Sequence, residues 1–217
     1  MDMEQARYNM VEQQIRPWDV LNQNVLDLLH KVRREDFVPA AHRALAFVDM
    51  EIPLGHGQAM WTPKLEARVI QELAIRPTDG VLEIGTGSGY LTALLASQAA
   101  YVVSVDIVGE FTAAATQKLR AHGFGNVVLH TGDAASDWPD TTGFDVIVLT
   151  GSTPLLSEAF RRRLNVGGRL FAIVGEAPVM QAQLITCSAP GAFRSVTLFE
   201  TCVAPLVNAP HPAAFVF

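Results

Sequence analysis

One segment restricts this chain more than any other: Val81-Leu82-Glu83-Ile84-Gly85-Thr86-Gly87-Ser88-Gly89-Tyr90. A short apolar strand over residues 81–84 runs straight into three glycines at alternate positions. These lead into a helix over residues 91–97. Glycines at a strand-to-helix turn admit backbone conformations closed to other residues and bring a ligand close to the main chain. The alternation continues, with strands expected at residues 101–105, 127–130, 144–149 and 169–174. The expected helices are 111–121 and 155–164, preceded by one whose face carries Leu65, Val69, Ile70 and Leu73. Short apolar strands alternating with helices imply right-handed crossovers and a mostly parallel sheet buried on both faces. Residues 183–187 and 194–203 flank a Pro190-Gly191 turn and read as an antiparallel pair at the sheet edge.

The first third differs. A helix over residues 4–15 is cut off by Pro17 from a second helix, in which Val25, Leu28, Leu29 and Val32 share one face. Residues 38–63 carry prolines and glycines with little periodicity and read as one long loop, of the kind that often carries function. The expected fold class is α/β: a doubly wound, mostly parallel Rossmann-like sheet with helices on both faces, an N-terminal helical cap and a C-terminal antiparallel edge pair.

Composition removes several functions. At 49% hydrophobic the 217-residue chain has enough apolar residues for a core, which excludes disorder. Sixteen Lys and Arg against 22 Asp and Glu give a net charge of −6, the wrong sign for tracking phosphates, so no nucleic-acid partner is expected. The two cysteines, Cys187 and Cys202, and the six histidines show no metal-ligand spacing. No metal, no membrane span, no signal peptide and a cytoplasmic location are the expectations. A P-loop and a G-x-S-x-G nucleophile elbow are missing too.

The glycine loop itself narrows the ligand. Its spacing is G-x-G-x-G, not the G-x-G-x-x-G that cradles a pyrophosphate, and Glu83 just ahead of it would repel phosphates. A ligand with positive charge and no phosphate fits: S-adenosylmethionine, with its product S-adenosylhomocysteine. Asp106-Ile107, at the end of the next strand, places a carboxylate for both ribose hydroxyls, and Gly132-Asp133-Ala134 places one for the adenine amino group. With Glu83, the loop Gly85-Thr86-Gly87-Ser88-Gly89 and Thr150 at the exit of the fourth strand, these are the expected cofactor residues.

The same residues, and segments on either side of them, resemble the protein-L-isoaspartate O-methyltransferases over nearly the whole chain. Met10-Val11-Glu12-Gln13-Gln14-Ile15 is similar to that family's opening helix, and Val32-Arg33-Arg34-Glu35-Asp36-Phe37-Val38-Pro39 to its VPRE-x-FVP segment. Ile52-Pro53-Leu54-Gly55-His56-Gly57-Gln58 is similar to the approach to its substrate loop, and Val203-Ala204-Pro205-Leu206 to its closing VPL. The resemblance implies methyl transfer to L-isoaspartyl carboxylates of damaged proteins or peptides. It implies a substrate loop within residues 1–63 and a cofactor core in residues 64–217. It also makes Gln58, Trp61 and Thr62 the acceptor-side residues. One departure stands out. Where the family continues Thr-Ile-Ser-x-Pro, implicating the Thr and Ser in holding the substrate carboxylate, this chain has Ala59-Met60-Trp61-Thr62-Pro63. Two alternatives therefore stay open beside isoaspartyl repair: a methyltransferase with a different acceptor, and a non-catalytic S-adenosylmethionine-binding relative. If isoaspartyl activity is present it should be weaker than in relatives with Ser in place of Trp61, and Trp61→Ser with Ala59→Thr should raise it.

Overall fold

The computed structural model describes residues 2–139 and 143–213, so most of the apolar tail at residues 213–217 lies outside the described residues. Helices α1 (Met3–Met10) and α2 (Gln23–Lys31) open the chain. Asp2 caps α1, its side chain accepting from the Glu4 and Gln5 amides, and Asn22 caps α2. Between them the first helix does not simply stop. It loosens into a π-helical turn at Val11–Ile15 and a 3-10 turn at Arg16–Trp18 containing Pro17.

The stretch read as one long loop is more structured than expected. It holds a 3-10 turn at Ala40–Leu45 and a hairpin of β1 (Ile52–Gly55) and β2 (Gln58–Met60), with Ile52 opposite Met60. Gly55, His56 and Gly57 all have positive φ, +97°, +52° and +72°. Gly-His-Gly is thus turn chemistry joining two strands, one of them containing Pro53, too short for periodicity to register.

Then comes α3 (Pro63–Leu73), capped by Thr62, followed by β3 (Gly80–Ile84), α4 (Tyr90–Ala96), β4 (Tyr101–Asp106), α5 (Gly109–Ala121) and β5 (Val127–Thr131). The chain continues through β6 (Phe144–Thr153), α6 (Glu158–Arg162), β7 (Leu164–Glu176), β8 (Val179–Ala189) and β9 (Ala192–Thr201). The seven-stranded sheet runs β5-β4-β3-β6-β7-β8-β9, parallel through β7 and antiparallel in its last two pairings. The expected doubly wound sheet and antiparallel edge pair are present. The helix expected over 155–164 shrinks to α6, because Ser157 caps it late and Leu164 already belongs to β7.

Alternate residues of the strands feed two cores. Val81, Val146, Val148, Phe171 and Ile173 pack with α3, α4 and the N-terminal segments. Leu82, Ile84, Ile147, Leu149 and Leu170 pack on the other face with Phe160 of α6. Among the described residues no helix is long and apolar enough to cross a membrane. Both cysteines are free, Cys187 buried and Cys202 exposed.

Candidate functional site

The carboxyl ends of β3, β4, β5 and β6 meet at an open cleft. Its floor is the glycine loop. Gly85 has φ +101°, and a Cβ placed there would lie 2.0 Å from Thr150 Oγ1. That hydroxyl bonds the Ile84 and Gly85 carbonyls at 2.9 and 2.7 Å, so β6 clasps the start of the loop. Gly87, at φ +50°, faces Leu54 of the hairpin.

Asp106 ends β4 in the cleft wall. Its Oδ2 accepts from the Gly87 amide at 2.8 Å and its Oδ1 from the Val108 amide at 2.9 Å. Two backbone donors fix the carboxylate, and each oxygen keeps a lone pair for a further donor. Ile107, Gly132, Asp133 and Ala134 line the same cleft. Asp133 Oδ1 accepts from the Ala135 amide at 3.0 Å, and Oδ2 accepts from Asn208 Nδ2 at 2.8 Å.

Asn208 belongs to a strap whose lining role the sequence did not reveal. Residues 203–206 return along β6, with the Ser152 amide donating to Ala204 O and the Leu206 amide to Ser152 O at 3.0 and 2.9 Å. Leu206 and Val207 then close one side of the cleft. Gly151 is what lets them approach, because a Cβ there would meet the Leu206 nitrogen at 2.9 Å. Leu54 and Phe111 are two further lining residues not singled out from sequence. The hairpin turn is tied to the start of α5 through His56, whose Nε2 hydrogen-bonds Glu110 Oε2 at 2.9 Å and whose ring stands edge-on to Phe111. This is a side-chain hydrogen bond rather than a contact with the backbone.

Three expected site residues line neither this cleft nor the smaller cavity beside it. Glu83 is fully buried beneath the loop, where its Oε2 accepts from Thr92 Oγ1 at 2.5 Å and Ser104 Oγ at 2.6 Å. Burial pushes its carboxyl up to about 8 against the lowering effect of those hydroxyls. Its role is to tie β3 to β4 and α4 under the loop, not to face a ligand's positive charge. Gly89, at φ +82°, starts α4 and packs on Ala115. Thr62 lines neither cavity; its hydroxyl oxygen accepts from the Leu65 amide as the α3 cap.

A second, smaller cavity of about 330 Å³ adjoins the first, sharing Leu54, Ala59, Gly85, Gly87 and Thr150 with it. Gln58 lines the first cavity, whereas Trp61, Thr86 and Ser88 line the second. The Trp61 ring is almost fully buried and meets Phe171 edge to face at 6.4 Å, so it is a core aromatic and a pocket wall at once. Its carbonyl is held by Arg34, whose three nitrogens donate to Glu66 Oε2, Ala46 O and Trp61 O at 2.9, 2.7 and 2.5 Å. Arg34 is 1% exposed and its guanidinium lies 5.6 Å over the Tyr90 ring. Neither Arg34 nor Glu66 carries a local signal that marks it as part of a site. Both become visible only through contacts that bridge 27 to 32 residues.

Among the described residues no group of three His, Cys, Asp or Glu side chains gathers as metal ligands. The sequence profile of the protein-L-isoaspartate(D-aspartate) O-methyltransferases matches residues 5–209. A protein-L-isoaspartate O-methyltransferase of Gloeobacter violaceus is 36% identical over 92% of this chain and 97% of its own length. Another from Rhodopseudomonas palustris is 34% identical over 94% and 96%. A Plasmodium falciparum structure described as a beta-aspartate methyltransferase in complex with S-adenosyl-L-homocysteine superposes with a TM-score of 0.78. It covers 95% of this chain and 99% of that one at 18% identity, a likeness of fold.

Proposed function

This chain belongs to the protein-L-isoaspartate(D-aspartate) O-methyltransferase family, and from that premise we propose how its own residues carry out carboxyl methylation of L-isoaspartyl groups with S-adenosylmethionine. The observation that carries the cofactor assignment is the carboxylate of Asp106, fixed by the Gly87 and Val108 amides in the wall of a cleft whose lining, among the described residues, includes no Lys or Arg. Such a site accepts from hydroxyls and offers a phosphate no counter-charge. The cofactor fits: glycine at 85 and 87 lets the loop close against Thr150 and Leu54 and line the cleft with bare backbone, Asp106 receives the ribose, and Asp133 receives the adenine amino group. Ile84, Val105, Phe111 and Leu206 supply apolar walls.

Bound there, S-adenosylmethionine supplies an electrophilic methyl group on a sulfonium. The acceptor carboxylate is ionised near neutral pH, with a reference pKa of about 4, so the protein need not remove a proton. Its task is positioning, worth up to about 7–11 kcal/mol in favourable cases. The second cavity, between the hairpin and the glycine loop, receives the acceptor, with Ala59 and Trp61 in its wall and Gln58 in the neighbouring wall of the cleft.

Two measurements test these roles. Asp106→Ala should weaken S-adenosylhomocysteine binding by about 1.5–3 kcal/mol in calorimetry, the worth of hydroxyl bonds to a charged group. An unchanged affinity removes the ribose assignment. For the acceptor, labelled-methyl transfer to an isoaspartyl peptide should be seen, and not to its normal-aspartyl twin. Because the indole of Trp61 is packed on Phe171, Trp61→Ser would open a core cavity at a cost of about 3–5 kcal/mol. Ala59→Thr alone is the cleaner gain-of-hydroxyl variant. It should raise kcat/KM on the isoaspartyl peptide by about 10-fold or more, since one hydrogen bond to a carboxylate is worth about 1.5–3 kcal/mol. Turnover that Ala59→Thr lowers would show that the native pocket is already fitted to its acceptor without that hydroxyl.

A further inference from the structure

The acceptor cavity presents six side-chain nitrogen and oxygen atoms that could meet a substrate, and most are already engaged. Thr86 Oγ1 bonds Ser104 Oγ at 2.6 Å and Thr150 Oγ1 bonds two carbonyls, while Ser88 Oγ accepts from the Tyr90 amide and keeps its own proton to donate. Glu66 Oε2 is taken by Arg34. Among the described residues this leaves Glu66 Oε1 and Trp61 Nε1 with no hydrogen bond, and neither is among the side-chain atoms sealed from solvent without a partner. Trp61 occupies the loop position and Glu66 lies in the first turns of α3, so both come from the segment that walls this cavity. One is an obligate donor. The other is a carboxyl oxygen, a donor when protonated and an acceptor when not.

We propose that Glu66 is a substrate-binding residue that acts as a neutral carboxylic acid, donating from Oε1 to the acceptor carboxylate of an isoaspartyl residue while Trp61 Nε1–H donates beside it. This deepens the isoaspartyl assignment and rests on it. Ala59 has no hydroxyl to offer, and Thr62 lines neither cavity. An acid and an indole N–H therefore do what a loop hydroxyl would do.

The surroundings favour the neutral form. Burial raises the Glu66 carboxyl to about 7 even with Arg34 beside it. The groups facing it are Arg34 from the turn after α2, which lowers it, and Tyr90 from α4, whose hydroxyl is buried with no partner. Arg7 and Glu35 form a further buried ion pair in the cluster around Tyr90. Bringing a second carboxylate to Oε1 raises the acid further, because two like charges in contact cannot both stay ionised. Protonated Glu66 binds the substrate, and ionised Glu66 repels it.

The test measures isoaspartyl-peptide binding to the full chain saturated with S-adenosylhomocysteine, by calorimetry from pH 6 to 9, together with the pH profile of KM. For the wild type, affinity should fall above about pH 7–8 by up to about tenfold per pH unit. Glu66→Gln keeps a donor in place and can still accept from Arg34, so it should bind at pH 6.5 within a few-fold of wild type and lose the alkaline decline. Glu66→Ala should bind weakly at every pH, with S-adenosylhomocysteine affinity and circular dichroism confirming that it is folded. An identical alkaline decline in wild type and Glu66→Gln overturns the proposal, as does wild-type affinity in a folded Glu66→Ala. Methylation of the isoaspartyl peptide with a profile indifferent to residue 66 sinks this inference alone. Absence of isoaspartyl turnover at all pH values, with cofactor bound, overturns the isoaspartyl assignment and this inference with it.

Discussion

Alanine at Gly85 is expected to abolish usable cofactor binding, lowering S-adenosylhomocysteine affinity by about 100-fold or more. A methyl group there would sit 2.0 Å from Thr150 Oγ1, at a φ of +101° that L-residues rarely adopt. The strained backbone alone costs about 1–3 kcal/mol. Moving Thr150 aside also breaks its bonds to the Ile84 and Gly85 carbonyls, at about 0.5–1.5 kcal/mol for each net bond. The loop can relieve the clash only by shifting off the end of β6, which deforms the floor of the cleft. Gly123→Ala is the matched control: φ there is +79° but nothing lies within 4 Å of the added carbon, so only backbone strain is felt. Calorimetry on both variants should show near-native affinity for Gly123→Ala and none measurable for Gly85→Ala. Similar affinities in the two would mean that the loop rearranges freely and that the clasp by Thr150 is dispensable.

Removing Arg34 should be the most destabilising substitution made in the acceptor half. Arg34→Ala leaves the buried Glu66 without its cation and strips donors from the carbonyls of Ala46 and Trp61. Glu66 then takes up a proton rather than keep an unpaired charge, but three buried acceptors lose their donor, at about 1–3 kcal/mol each. In urea unfolding the midpoint should fall accordingly, and Arg34→Lys should recover only part of the loss, since an ammonium cannot reach three acceptors in the guanidinium's fixed fork. A loss below about 1 kcal/mol would mean water replaces the guanidinium, and Arg34 would then not be what holds the loop.

The cofactor side of the site was legible because its signal is local. The glycines, Asp106 and the Gly132-Asp133-Ala134 stretch each sit at the end of a strand that periodicity reveals, and strand ends converge in an open parallel sheet. Glu83 shows where this reasoning stops. Its place next to the loop is plain in the sequence, but strand alternation turns it into the core beside Val81, and no pattern of charge records that. The acceptor side was less legible for a different reason. Arg34, Glu66 and the 203–207 strap reach the site across long stretches of chain, and a hairpin of four- and three-residue strands leaves no periodicity to read. Trp61 could be weighed as core or as wall from sequence; the structure makes it both.

The strap has a consequence for how the molecule assembles. The walls of the cleft run from Leu54 in the hairpin to Val207 at the far end of the described chain, so the cleft is made of contacts distant in sequence. Such contacts incur loop-closure entropy before they are rewarded, and they form slowly. The cleft is therefore expected to be completed late in folding, which pulsed hydrogen exchange at the Gly87 and Leu206 amides would check. Once complete, the cleft makes ligand a tie between the two ends. At a hundredfold excess over Kd it adds about 2.7 kcal/mol to the finished fold, and the hairpin and the strap share that gain although no strand pairing joins them.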